Sequence, residues 1–323
     1  MSILSIMFSV LRMFFTWKNS FTFLLCLIFT FSVSAQKKVA ISIDDIPNTK
    51  KYEKDDFQLG LLSKLDEIQI PISIFVIEGL LYKTDSISKN YSLLMEWTER
   101  PYTTLGNHSF NHKRSSGFSV EDLEQEVVKG EAISRELARY YGKDLKYFRF
   151  PFNDLGKDSL QQNAFKARLD TLGYEIMPFT VESADWMYNA VFEHFLEQGD
   201  RSKAVAIGEE YVSQTLALFE FFEVLSMEEY GRLIPQIYLC HDNSINEAYL
   251  PAIIKELGDQ GYEFVGVEEA LADPAYHQTN YYDKKWGVSW FYRWMEDQDE
   301  AMVWMRKEPG LEHIQKQFDA IQN

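Results

Sequence analysis

Short apolar runs alternate with longer helical patterns along this chain, and that alternation is the strongest constraint on its fold. Residues 39–43, 72–77, 102–105, 147–150, 174–179, 236–239 and 262–265 have the length and the β-branched or aromatic content of buried strands. Between them, residues 57–68, 119–141, 159–172 and 250–260 carry apolar residues at helical spacing. Ser119 followed by Asp122 is a variant capping box that would open the long helix 119–141. Strands separated by helices pair in parallel, with helices covering the sheet. Seven strands in one domain-sized stretch point to a closed or nearly closed barrel. No low-complexity linker divides residues 36–272, so a single domain is the simplest organisation.

Three segments fall outside the alternation. Residues 1–35 carry Arg12 and Lys18 and no acid, then an apolar run over 21–33 that ends in Val33-Ser34-Ala35. This reads as a cleavable signal peptide with Gln36 as the first mature residue, and Met13 is an alternative start. The run is too short for a comfortable membrane span, and export to the periplasm or the extracellular space is expected. Residues 191–232 form a helical, acidic and aromatic insertion. It is expected to help set substrate choice beside the active face, the alternative being that it only covers the barrel. Residues 273–323 are an aromatic-rich extension. It is expected to pack on the barrel and bury its rings, the alternative being a sugar-stacking surface.

Cleavage at Gln36 removes two of the 32 basic residues and none of the 49 acidic ones. The mature charge is then about −19, which argues against a nucleic-acid partner. No stable protein partner is expected. Cys240 is the one cysteine left after cleavage, so no internal disulfide can form. It is expected to be a small buried hydrophobe.

The polar residues gather at strand ends. Asp44-Asp45 follow the first strand, His108 and His112 the third, and Arg149-Phe-Pro-Phe152 closes the fourth. Asp185-Trp186 lies beyond the fifth, and Leu239-Cys-His241 closes the sixth. In a barrel the C-terminal strand ends share one face, where catalytic residues collect. Each motif alone is a weak signal; their joint occurrence, in order and at strand ends, is specific. Two imidazoles and a carboxylate leave a metal one open position. A second carboxylate can take a proton from water, and a histidine can give one to a departing amine. The set suits metal-assisted amide or ester hydrolysis.

Ser42-Ile-Asp-Asp45, His108-Ser-x-x-His112, Arg149-Phe-Pro-Phe152, Asp185-Trp186 and Leu239-Cys-His241-Asp242 resemble the five ordered motifs of the polysaccharide deacetylases, the NodB-homology domain of carbohydrate esterase family 4. The resemblance spans residues 38–271. It implies an α/β fold, a distorted (β/α) barrel of about seven strands, acting on an acetylated carbohydrate with one divalent metal, zinc by its donor set. It implies Asp44 as base, Asp45, His108 and His112 as metal ligands, and His241 as general acid paired with Asp185. Arg149 would orient the site acids. The backbone N–H of Phe152 would donate to the oxyanion, and Trp186 and Leu239 would wall the acetyl pocket.

The chain departs from the family pattern where Ser42-Ile43 replace Thr-Phe, Ile46 replaces Gly, Phe152 replaces Tyr and Cys240 replaces Leu. No carboxylate, imidazole or guanidinium is lost. The departures bear on the substrate instead, as does the long Asp185–His241 interval. The leading expectation is removal of acetyl groups from N-acetylated sugars. The alternatives are an O-acetyl esterase or other amide hydrolase on the same scaffold, or a non-catalytic carbohydrate-binding protein. His194, His277 and His313 are expected at the surface or in packing, and Glu78 and Glu182 have no assigned role.

Overall fold

Eight strands pair in parallel in one sheet: β1 (Lys37–Ile46), β2 (Ile72–Val76), β3 (Thr103–Asn107), β4 (Leu145–Phe148), β5 (Glu175–Ile176), β6 (Val181–Glu182), β7 (Gln236–His241) and β8 (Tyr262–Phe264). The structure, a computed structural model, describes residues 36–322; the expected signal peptide, residues 1–35, lies outside them. The order is β5-β4-β3-β2-β1-β7-β6, with β8 beside the start of β1. Residues 174–179 were expected to be one strand. The extended run is longer and split: Glu175–Ile176 pair with β4, and Val181–Glu182 pair with β7. It thus passes from one edge of the sheet to the other and makes the circuit a distorted barrel.

Strand alternation sorts the side chains into two cores. Val39, Ile41, Ile43, Ile74, Val76, Leu105, Tyr238 and Cys240 point outward under the helices. Ala40, Phe75, Tyr147, Met177 and Ile237 fill the interior. Gly106 is needed there, because a Cβ on it would lie 2.3 Å from the Phe75 ring.

The capping box forms as expected: Asp122 N–H donates to Ser119 Oγ (3.1 Å), and Ser119 N–H donates to Asp122 Oδ2 (3.0 Å). The helix it opens is shorter than 119–141. It stops at Lys129, and a second runs Ala132–Tyr141. Gly130, at the break, lies against the backbone of Ser109 and Phe110, where a Cβ would come within 2.7 Å of the Ser109 carbonyl carbon. The helix Ile87–Glu99 has no counterpart in the sequence reading; it buries Asn90, Leu93, Leu94, Trp97 and Thr98 at helical spacing, but Asn90 and Thr98 are polar, which leaves a short apolar stripe.

The insertion forms two helices, Asp185–Glu197 and Arg201–Tyr230. The longer one buries Tyr211, Leu218, Phe219, Phe222 and Leu225, with the Phe219 ring 5.5 Å from that of Tyr238 on the outer face of β7. The C-terminal extension packs on this helix: Phe291 stacks on Phe222 (5.5 Å), and Trp304 meets Phe221 edge-on (6.0 Å).

Candidate active site

The interior rows of the strands become polar toward their C-terminal ends. Above Ala40 come Ser42 and Asp44, above Tyr147 comes Arg149, and above Ile237 come Leu239 and His241. Asp44 and His241 are cross-strand partners of β1 and β7. Neighbouring residues on a strand normally face opposite sides, yet Asp44 and Asp45 both line the same cleft. A register shift between Ile43 and Ile46 and a left-handed backbone at Asp45 (φ 64°) turn the second carboxylate inward.

Arg149 is fully buried, with its guanidinium 4.2 Å from the centre of the Phe75 ring. Its Nη1 donates to Asp44 Oδ1 (2.7 Å) and Ser42 Oγ (2.9 Å), and its Nη2 to the Pro178 carbonyl (3.1 Å). Ser42 therefore keeps the hydroxyl that the family's threonine would supply. Burial lowers the Arg149 pKa and the Asp44 charge opposes that shift.

Asp45, His108 and His112 are brought together. The Nε2 atoms of His108 and His112 lie 3.7 and 3.5 Å from Asp45 Oδ1, a buried atom with no hydrogen-bond partner. One donor atom from each residue lies within 4.8 Å of the others. Tetrahedral bonds of about 2.1 Å put ligand atoms about 3.4 Å apart, so the three fit a small divalent cation. His108 Nδ1 is 2.8 Å from the Arg149 carbonyl, which leaves Nε2 for the cleft. Burial, and then the His108 charge, lower the His112 pKa to about 4, which keeps that ring neutral and able to ligate.

The two histidines sit on a loop rather than on a helix. Ser109 (φ 67°) and His112 (φ 53°) are left-handed. Asn107 Oδ1 accepts Ser109 N–H (2.8 Å), Ser109 Oγ accepts His112 N–H (3.1 Å), and Glu126 holds both amide groups of Asn111. Gly79 donates to the Phe110 carbonyl (3.0 Å), and a Cβ there would stand 2.1 Å from that oxygen. Glu78, beside it, accepts the N–H groups of Ile133 and Ser134 (2.9 and 2.6 Å) and so caps the helix Ala132–Tyr141.

Across the cleft, Asp185 is buried and holds His241 twice: Oδ2 accepts its backbone N–H (2.8 Å) and Oδ1 lies 2.7 Å from its Nδ1. Asn243 (3.0 Å) and Asn246 (2.5 Å) donate to the same carboxylate. Burial opposes protonation of His241, but Asp185, Asp45 and Asp44 together outweigh it, and the pKa rises to about 10. The network continues into the insertion. Tyr211 donates to Asn246 Oδ1 (2.6 Å) and shares a 2.8 Å bond with Tyr238. Tyr211 thereby fixes which end of the Asn246 amide faces Asp185.

These groups line a cleft of about 560 Å³. Phe152 (φ 57°), Trp186 and Leu239 line it as well, with the Phe152 ring 4.6 Å from that of His112. The cleft also takes Asn48, Arg114, Asn189, Glu182, Trp286 and Gly287, which sequence reasoning missed. No motif marks them: Asn48 and Arg114 come from loops, Glu182 ends β6, Asn189 lies in the helix Asp185–Glu197, and Trp286 and Gly287 belong to the C-terminal extension. Burial, and then the Asp185 charge, raise the Glu182 pKa to about 7. Asp242 accepts bonds from Tyr52 Oη (2.9 Å) and Asn48 N–H (3.1 Å), tying the turn after Asp45 to the end of β7.

No residue of 191–232 lines the cleft. Of the two expected roles of the insertion this supports the covering one: its buried face is spent on the outside of β7. Cys240 is buried beside it, and burial pushes its thiol well up, as befits a packing residue. His194 and His313 make exposed contacts, with Gln198 and Glu210 respectively.

Residues 32–170 match the family model described as polysaccharide deacetylase. The peptidoglycan-N-acetylglucosamine deacetylase PgdA of Listeria monocytogenes is 20% identical over 249 residues, which cover 77% of this chain and 42% of PgdA. The chain thus spans about two fifths of the length of the curated relatives it matches. A family 4 carbohydrate esterase from Streptomyces lividans, solved in complex with acetate, is 19% identical, with 71% of this chain and 92% of that one covered and a TM-score of 0.45. A family 4 pseudoenzyme from Bacillus anthracis is 14% identical, with 73% and 66% covered and a TM-score of 0.47. All five motifs gather on one barrel face, and the stretch that carries the first three is similar to the polysaccharide deacetylase family.

Proposed function

We propose that this chain is a metal-dependent hydrolase that removes acetyl groups from N-acetylated sugars of an oligosaccharide or polysaccharide. The carrying observation is that Asp44 and His241 are partners across β1 and β7, with Asp45, His108 and His112 beside them in the same cleft. Asp45, His108 and His112 would hold a divalent ion, zinc by its two-imidazole, one-carboxylate donor set. When bound, the ion polarises the acetyl carbonyl and acidifies water.

The remaining steps fall to this chain's side chains. Asp44 accepts the proton of the attacking water, held in place by Arg149. The N–H of Phe152 donates to the oxyanion that develops on the carbonyl. Trp186 and Leu239 enclose the acetyl methyl group. His241, oriented by Asp185, gives its proton to the departing nitrogen. An amine leaves only once protonated, so a histidine placed and oriented to donate suits the amide reading. The complete set of acids and imidazoles favours an enzyme over a binding protein.

Residues 1–35 support export by a cleavable signal peptide, and among the described residues no helix is long and apolar enough to cross a membrane. The test is acetate release by the purified protein on chitin oligomers, peptidoglycan and acetylated xylan, with mass spectrometry of the products. The expected products from the first two carry a free amine. Acetate from xylan alone would establish the esterase instead, and acetate from none would refute the proposal.

A further inference from the structure

We infer that Trp286, supplied by the C-terminal extension, is a stacking platform for a second sugar ring, so that the cleft reads an oligosaccharide rather than a single acetylated unit. This deepens the proposed deacetylase reading and rests on it. Among the described residues, Trp186 and Trp286 are the tryptophans more than a third exposed, at 50% and 54%, and both line the cleft. The neighbouring rings of the extension, Phe291, Tyr292 and Trp294, are buried. An indole left half in water beside a reactive centre costs apolar exposure and gains nothing from the core.

The backbone beneath Trp286 is nevertheless held firmly. Arg293 is fully buried, and its Nη2 donates to the Trp286 carbonyl (2.9 Å) and to the Asn153 carbonyl (3.3 Å). One guanidinium thus links the Trp286 segment to the Phe152–Asn153 turn. Gly287 presses on that turn, where a Cβ would lie 2.4 Å from the Phe152 carbonyl oxygen. Ser289 Oγ donates to the Thr180 carbonyl (2.7 Å) and Trp290 N–H to the Phe179 carbonyl (3.0 Å), anchoring the segment to the run that joins β5 to β6. Lys285 Nζ stands 4.8 Å from the Trp286 ring centre, a cation–π contact that further orients the indole. A fixed backbone under a half-exposed ring is the arrangement of a preorganised contact, which loses little entropy when a ligand covers it.

The ligand class follows from the surroundings. A pyranose presents a face of C–H groups to an aromatic plane and a rim of hydroxyls to hydrogen-bonding groups. Phe152, Trp186 and Trp286 supply planes, and Asn153 and the Nδ2 of Asn189 supply amide groups around the same cleft, while the Asn48 amide is spent on Lys51 and Asp242. Trp186 is backed by Phe318 of the C-terminal helix Glu312–Gln322, at 5.2 Å between ring centres. The extension therefore supports both tryptophans.

The experiment compares the wild type with Trp286→Ala and Trp286→Phe on the dimer and the tetramer of N-acetylglucosamine. In the Ala variant kcat/KM on the tetramer should fall about tenfold, chiefly through KM, and on the dimer less than about threefold. The Phe variant, which keeps an aromatic plane, should recover most of the tetramer activity. Tetramer binding is measured in parallel by calorimetry in chelator, where Kd should rise about tenfold in the Ala variant. A wild type that binds the tetramer in this Trp286-dependent way but releases no acetate would overturn the deacetylase reading and leave the platform standing. Equal losses on dimer and tetramer, or unchanged tetramer binding in the Ala variant, would overturn the platform and leave the deacetylase reading standing.

Discussion

Asp44→Asn is expected to lower kcat by about three orders of magnitude, within the range for losing a general base, while the protein still binds its metal. The size of the effect follows from how Asp44 is held. Its Oδ1 accepts from Arg149 Nη1 at 2.7 Å, and its Oδ2 lies 3.6 Å from His108 Nε2. An asparagine must turn its carbonyl oxygen toward the guanidinium, because an NH₂ there would meet another donor. That places the NH₂ on the cleft side, where it cannot accept a proton. Asp45, His108 and His112 are untouched, so metal content measured by mass spectrometry should stay near the wild-type ratio. A loss of less than tenfold with metal in place would remove Asp44 from the role of base.

Asp185→Asn is expected to be the next most damaging change, costing about two to three orders of magnitude in kcat and about 3–5 kcal/mol of stability. Asp185 accepts from the His241 backbone N–H, Asn243 and Asn246 and pairs with His241 Nδ1. An amide in its place must aim its NH₂ at one of these donors and leaves His241 without a counter-charge. The loss also has a pH signature. The pKa of His241 is raised to about 10 in the folded protein, against about 6.5 for an ordinary imidazole. A raised pKa means that the folded state holds a proton the unfolded chain has released. The pair's contribution is therefore full below about pH 6.5 and is lost as pH rises toward about 10. Glu182 and Asp242, raised to about 7 and about 6 by burial first, titrate at the lower edge of this window. Lys143, lowered to about 8 by burial, titrates in both proteins and cancels in a difference. The thermal stability gap between wild type and variant, measured in chelator, should narrow steadily from pH 7 to pH 10. A gap that stays constant over that range would contradict the ion-pair account.

Much of this site could be read in the sequence, because its motifs ride on strand periodicity. Once residues 39–43 and 236–239 are strands, Asp44 and His241 must stand at their ends, and parallel pairing makes them neighbours. The backbone that makes the motifs work could not be read so. Asp45, Ser109, His112, Phe152, Asn153 and Ala184 all have positive φ and none is glycine. Each such residue costs about 1–2 kcal/mol and leaves no local sequence signal. Tertiary contacts hold them instead: Gly79 and Gly130 against the histidine loop, and Gly287 and Arg293 against the Phe152 turn.

The two accessory segments stand differently toward the cleft. The insertion leaves the chain after Trp186 and returns before His241, which placed it near the active face. Its longer helix nonetheless buries its aromatic side under β7 and reaches the chemistry only through Tyr211 and Asn246. Most rings of the C-terminal extension are buried, yet one short segment carries Trp286 to the cleft. Aromatic content could not separate these outcomes, because a buried and a half-exposed tryptophan look the same in a sequence. Here the difference rests on where Arg293 and Gly287 pin the chain.

One divalent ion, held by Asp45, His108 and His112, is proposed to enable deacetylation in this cleft. The most direct measurement is to strip the protein with chelator and titrate zinc back, following bound metal and acetate release from an N-acetylglucosamine oligomer together. Acetate release should be lost on stripping and return in proportion to bound zinc, with both curves breaking at one ion per chain and neither recovering in His112→Ala. Full acetate release by the stripped protein, or a wild type and His112→Ala that bind zinc and turn over alike, would contradict it.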